Sequence, residues 1–228
     1  MPDTAAGASS GRAALPAFAL PVPDLRAARA GNTGTPGVWH FAARRPGPAL
    51  MVCALVHGNE LCGAWLLQEV LASGLRPAAG SWTLVLANLD AFDRFDPADP
   101  DAARCVDTDL NRVWGPMGWR SRPTAGEHRR ALELLPWVER CDWLLDLHSM
   151  HEPGPALGLV GPLPHHAAWA RRLGAPRLLV ADDGHRAGIR LRDHGRFADP
   201  GDHAAVALLV ECGWHGDPAT LGVARDIF

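Results

Sequence analysis

The stretch ALMVCALVHGNELCGAW, residues 49–65, decides how this chain folds. Leu50 to Val56 form an apolar run, the pattern of a strand covered on both faces and not of one alternating between core and water. His57, Gly58, Asn59 and Glu60 interrupt it. Leu61, Trp65, Leu66, Val70 and Leu71 then recur at helical spacing as far as Ser73-Gly74. Strand, polar turn and helix make the first part of a βαβ unit. Open α/β sheets bind their ligands at the carboxyl ends of the strands. His57 and Glu60 stand at such an end, with Gly58 permitting the bend.

Working outward, GVWHFAA (37–43) reads as a first strand and SWTLVLANL (81–89) as another. DAFDRFDPADPDAARCVDTDLNRVWGP (90–116) is a polar loop long enough to be functional. AGEHRRALELLPWVER is a helix with Pro136 inside it or at a break, CDWLLDLHSM a buried strand with a polar end, and HAAWARRLG a short helix. PRLLVAD and Ala205 to Val210 are further strands, the second ending in Glu211. DPATLGVARDIF opens a last helix with Asp217 as its N-cap and a proline in the first turn. Strands alternating with helices give an α/β class with a largely parallel, twisted sheet. Residues 1–36, rich in Ala, Gly, Pro and Ser, read as a loose lead-in, and 37–228 as one folded domain.

The composition closes several doors. All 22 basic residues are arginine and there is no tyrosine, which excludes Schiff-base chemistry, a P-loop lysine and a phenolic acid. A net charge of −3 gives no reason to expect nucleic acid or an anionic membrane as partner. Five scattered cysteines without a C-x-x-C pair suggest buried thiols in a reducing compartment. No apolar run is long enough for a membrane helix, and the N-terminus makes a poor signal peptide. The expectation is a cytoplasmic protein.

Three strands end in ionisable groups: His57 with Glu60, then His148, then Glu211. A histidine and a glutamate three residues apart are a weak metal signal alone, since a helix-start glutamate is favoured by the helix dipole anyway. Adding His148 from a second strand makes a His-Glu-His set that leaves a coordination position open, as in catalytic zinc sites. Asp146, two residues before His148, faces the same way and could fix its imidazole. Glu211, carried to a desolvated rim, suits a general base. In the long loop, Arg104, Asn111 and Arg112 offer donors for a carboxylate or an oxyanion, and Asp109 could hold one of the arginines. The plainer reading of that loop is surface ion pairs of little energetic value.

HGNE at 57–60, D-T-D-L-N-R at 107–112, D-L-H at 146–148 and E-C-G at 211–213 follow one another in an order that resembles the succinylglutamate desuccinylase/aspartoacylase family of the zinc-carboxypeptidase superfamily. The resemblance spans roughly residues 37–216. It implies a three-layer α/β/α fold on a mixed, mostly parallel twisted sheet, and one zinc held by His57, Glu60 and His148, with Glu211 as the base. Arg104 would polarise the scissile carbonyl, and Asn111 and Arg112 would grip a substrate carboxylate. The implied reaction is hydrolysis of the amide of an N-acyl amino acid or related small carboxylate. Family members usually continue into a C-terminal β-rich domain, whereas this chain ends seventeen positions after Glu211. A tyrosine that helps bind substrate in some relatives has no counterpart.

Rival readings keep the metal and change the substrate: a metallocarboxypeptidase, a cell-wall peptide amidase acting on short peptides, or an ester hydrolase. A further rival is a catalytically silent zinc- or ligand-binding module. Homo-oligomerisation is left open. His151, His185, His194 and His203 lie in loops on the same side, His185 and His194 being the better candidates to line a pocket. Trp114 and Trp214 follow active-site motifs, with packing as their default role.

Overall fold

The computed structural model describes residues 15–116 and 120–228, so the first fourteen residues of the lead-in lie outside the described residues. Seven strands form one sheet: β1 (Val38–Ala42), β2 (Ala49–Ala54), β3 (Ser81–Leu86), β4 (Trp143–Met150), β5 (Leu157–Val160), β6 (Leu178–Ala181) and β7 (Val206–Trp214). Their spatial order is β1-β3-β2-β4-β7-β5-β6. The run β3-β2-β4-β7 is parallel throughout. β1 joins β3, and β5 joins β7, antiparallel, so the sheet is mixed.

Side-chain alternation splits the core into two layers. Val52, Ala54, Leu145, Leu147, Leu208 and Val210 pack with the buried residues of helices α1 (Leu61–Ser73), α4 (Pro164–Leu173) and α5 (Ala219–Ile227). Met51, Cys53, Leu144 and Ala207 face the other way, onto Ala131, Leu134, Leu135 and Val138 of helix α3 (Gly126–Val138). A one-turn helix, α2 (Leu89–Phe92), follows β3. This is the expected α/β/α sandwich.

Several boundaries differ from the sequence reading. The apolar run to Val56 is not all strand: β2 stops at Ala54, and Leu55 takes a left-handed backbone with φ 56°. That conformation is unfavourable for a branched-chain residue and throws the chain sharply out of the sheet. β5 was not expected at all. Helix α5 begins at Ala219 with Pro218 in the cap position, and Asp217 sits one place earlier, accepting the Ala219 amide at 2.8 Å. Pro136 lies inside the last turn of α3, which continues to Val138 without the backbone donor the proline removes. Residues 15–36 are laid across the sandwich. Leu20, Leu25 and Ala28 are buried, and the Trp65 and Trp39 indoles donate to the Pro21 and Ala28 carbonyls at 2.7 and 2.9 Å.

Strand order places the site. β2 continues through α1 to β3 on one side, and the chain then returns to β4 on β2's other side. The connections diverge at the carboxyl ends of β2 and β4, which leaves a crevice there.

Candidate metal centre

The sharp exit from β2 brings His57 and Glu60 over that crevice, and Gly58 is what makes the exit possible. A Cβ there would lie 2.4 Å from the Ala91 carbonyl carbon and the Phe92 nitrogen, and 2.5 Å from the Ala103 oxygen. Its need for glycine is therefore a close approach of backbones and not only a bend. β4 delivers Asp146 and His148 to the same place, and the register of β7 sets Glu211 directly beside His148.

Glu60 sits between two imidazoles. Its Oε1 is 2.8 Å from His57 Nδ1, and its Oε2 is 2.8 Å from His148 Nδ1. The far ring nitrogens each meet another carboxylate: His57 Nε2 lies 2.9 Å from Asp109 Oδ1, and His148 Nε2 lies 3.0 Å from Asp146 Oδ2. One donor atom from each of His57, Glu60 and His148 lies within 4.8 Å of the others, and all three residues are buried. Glu60 Oε2 has no aligned hydrogen-bond donor among the described residues. Two nitrogens and a carboxylate oxygen, with a carboxylate behind each imidazole, suit the ligand chemistry of zinc.

The electrostatics agree. Burial presses the His57 and His148 imidazoles toward neutrality, but Glu60 with Asp109, and Asp146 with Glu60, outweigh it and raise both pKa values. Burial would raise Glu60, yet the two histidines hold its carboxyl well below the usual range. A cluster that attracts protons this way would also attract a cation in their place. Glu211 stands apart: burial pushes its carboxyl up to about 7, only partly offset by His148. Its Oε2 also has no hydrogen-bond partner among the described residues.

The group opens into a cavity of about 280 Å³ lined in part by Arg104, Asn111, Arg112, Ser149, His185 and Arg190. Arg104 donates to Asp109 Oδ2 at 2.9 Å, so Asp109 links His57 to a guanidinium. Asn111 spends its Oδ1 on the Leu191 amide at 2.9 Å, fixing the loop that carries Arg190. Arg112 donates to the Asn111 carbonyl at 2.8 Å and stays mostly buried. The Ser149 hydroxyl is hydrogen-bonded to His215 Nδ1 at 2.8 Å.

Arg190 and Ser149 were not singled out from the sequence. Arg190 lies in AGIRLRD, where nothing distinguishes it from other arginines; Ser149, immediately after His148, had a positional signal. Of the loop histidines, His185 and His151 line the cavity. His194 is turned to the Trp114 carbonyl at 2.6 Å, and His203 lies beside His165 and Val206 at the opposite end of the strands. Trp114 is buried in the core, and Trp214 packs edge-on against Phe18.

Together the seven-stranded mixed sheet and the convergence of His57, Glu60 and His148 define an α/β/α protein with a candidate metal centre at the carboxyl ends of its strands. Residues 46–200 match the model of the succinylglutamate desuccinylase/aspartoacylase catalytic domain, and the chain belongs to that family. A probable aspartoacylase from Synechococcus sp. (strain CC9605) is 34% identical over 152 residues, covering 61% of this chain and 48% of that protein. Among solved structures, the succinylglutamate desuccinylase of Chromobacterium violaceum superposes with a TM-score of 0.63 at 19% identity, covering 84% of this chain and 63% of that one. A family protein from Shewanella amazonensis SB2B gives a TM-score of 0.61 at 19% identity, covering 87% and 69%. The chain thus spans about half the length of the curated relative it matches.

Proposed function

We propose that this chain is a zinc-dependent hydrolase that cleaves the amide bond of an N-acyl amino acid or a related small carboxylate, with residues 37–228 as its catalytic domain. The observation that carries the reading is the convergence of His57, Glu60 and His148 beside Glu211 in a cavity bordered by three arginines. A single zinc held by those three ligands would supply Lewis acidity toward a carbonyl oxygen and acidify an attacking water.

The chain's own groups do the rest. Glu211, held near neutrality by burial, takes the proton of the attacking water and passes it to the departing amine. Arg104, anchored by Asp109, donates to the carbonyl oxygen as negative charge develops there. Arg112 and the free side of Asn111 hold the substrate carboxylate, and Asp146 and Asp109 hold the histidine rings. The small volume and the guanidinium lining favour a compact acidic substrate over a long peptide.

The test is a hydrolysis screen of N-acyl amino acids, short peptides and esters, with zinc-loaded, chelated and Glu211→Gln protein. The reading requires turnover of an acyl amino acid that a chelator and the substitution both abolish. Turnover of peptides alone would favour a carboxypeptidase. Zinc binding without any turnover would favour a binding module.

A further inference from the structure

The two edges of the sheet are treated differently. The β1 edge is closed by its own chain: Asn32 pairs through its amide and side chain with Val38 and His40, and Thr33 adds a hydrogen bond to the Val38 carbonyl. The β6 edge has nothing comparable. The Asp182 amide donates inward to the Val160 carbonyl, so strand alternation points the amides and carbonyls of Leu179 and Ala181 outward. Those outward groups have no partner among the described residues. Leu178 and Val180 are 46% and 37% exposed, and Leu173 beside the strand is 36% exposed.

We propose that β6 is a homodimer interface, pairing antiparallel with β6 of a second copy about a twofold axis at Val180. Only integer centres bring outward-facing residues opposite one another, and the Val180 centre pairs Leu179 with Ala181 of the second copy. It also sets Arg177 opposite Asp183. Both are exposed, and neither has an ion pair or hydrogen bond among the described residues. The strand is therefore self-complementary in charge, and the pairing is isologous, as a twofold contact requires. Val180 meets its own copy across the axis, burying exposed apolar surface at the centre. A bare edge flanked by charges discourages pairing with arbitrary strands, but these charges suit the chain itself.

Analytical ultracentrifugation of the wild-type chain and its variants tests this. The wild type should be a reversible dimer. Arg177→Asp should weaken it roughly 10-fold or more, and adding Asp183→Arg in the same chain should restore it. Ala181→Pro, which removes an outward donor only, should give a folded monomer. Val180→Cys should cross-link to a covalent dimer under mild oxidation, because residues on the axis lie about 4.5 Å apart at Cα. A wild type that stays monomeric to about 0.1 mM overturns the proposal, as does a dimer indifferent to both Arg177→Asp and Ala181→Pro. If the proline variant fails to fold, the charge swap and the cross-link decide alone.

Discussion

His148 on β4 and Glu211 on β7 are directly paired across the parallel register of the two strands, so a candidate metal-ligand histidine and a half-buried carboxylate share one edge of the sheet. Glu211 Oε2 has no hydrogen-bond partner among the described residues, and burial raises the carboxyl to about 7. It is free to carry a proton, whereas Glu60, gripped by two imidazoles, is not.

Glu211→Gln is accordingly expected to keep zinc and lose turnover by about 100- to 10,000-fold, the range of general acid–base contributions. In the wild type the acid limb of kcat/KM should have an apparent pKa no higher than about 7, since a nearby cation can only lower that of Glu211. Wild-type turnover by the glutamine variant would remove Glu211 from the reaction.

Asp146→Asn and Asp109→Asn each remove the carboxylate behind an imidazole. Zinc affinity, read by competition with a chromogenic chelator, should fall about 10- to 100-fold in each. Unchanged affinity in both would mean that the rings are oriented by packing alone.

These carboxylates show how much of the site could be read before the fold. Asp146 and His148 are two apart on a strand, a local relation that fixes their common face. His57, Glu60 and Glu211 lay at the ends of apolar runs, which strand polarity alone sends to one rim. Arg190 was illegible because its place depends on Asn111 bonding the Leu191 amide, a contact between residues eighty positions apart. β5 was missed because LGLV between prolines is too short to show periodicity and is defined by pairing with β6 and β7. Gly58 was read as a bend, while the stronger constraint came from α2 and the turn at Ala103, distant in sequence.

Gly58→Ala should therefore be costly, because the clashing atoms are backbone and cannot rotate away. A loss of about 3 kcal/mol in denaturant unfolding is expected, at the upper end of overpacking effects. A loss below about 0.5 kcal/mol would show that the turn moves freely.

Stability should also fall in mild acid through His166. This ring on α4 is buried, with no aligned hydrogen-bond partner for either nitrogen among the described residues, and burial, aided by His165 and Arg192, outweighs the nearby Ala205 backbone and pushes its pKa down to about 4. Between an ordinary value of 6.5 and 4 the unfolded chain holds the proton and the native one does not, so stability declines as pH falls through that window. The slope from this group is at most about 1.4 kcal/mol per pH unit. Urea unfolding at pH 7 and 5 should show a smaller difference for His166→Gln than for wild type; equal differences would contradict it.

Metal content measures the ligand set most directly. Protein loaded with zinc and dialysed should carry one equivalent per chain by elemental analysis, and each of His57→Ala, Glu60→Ala and His148→Ala should retain under about a tenth while still folded. Retention of a full equivalent in all three variants, or none in the wild type, would contradict a zinc site built from His57, Glu60 and His148.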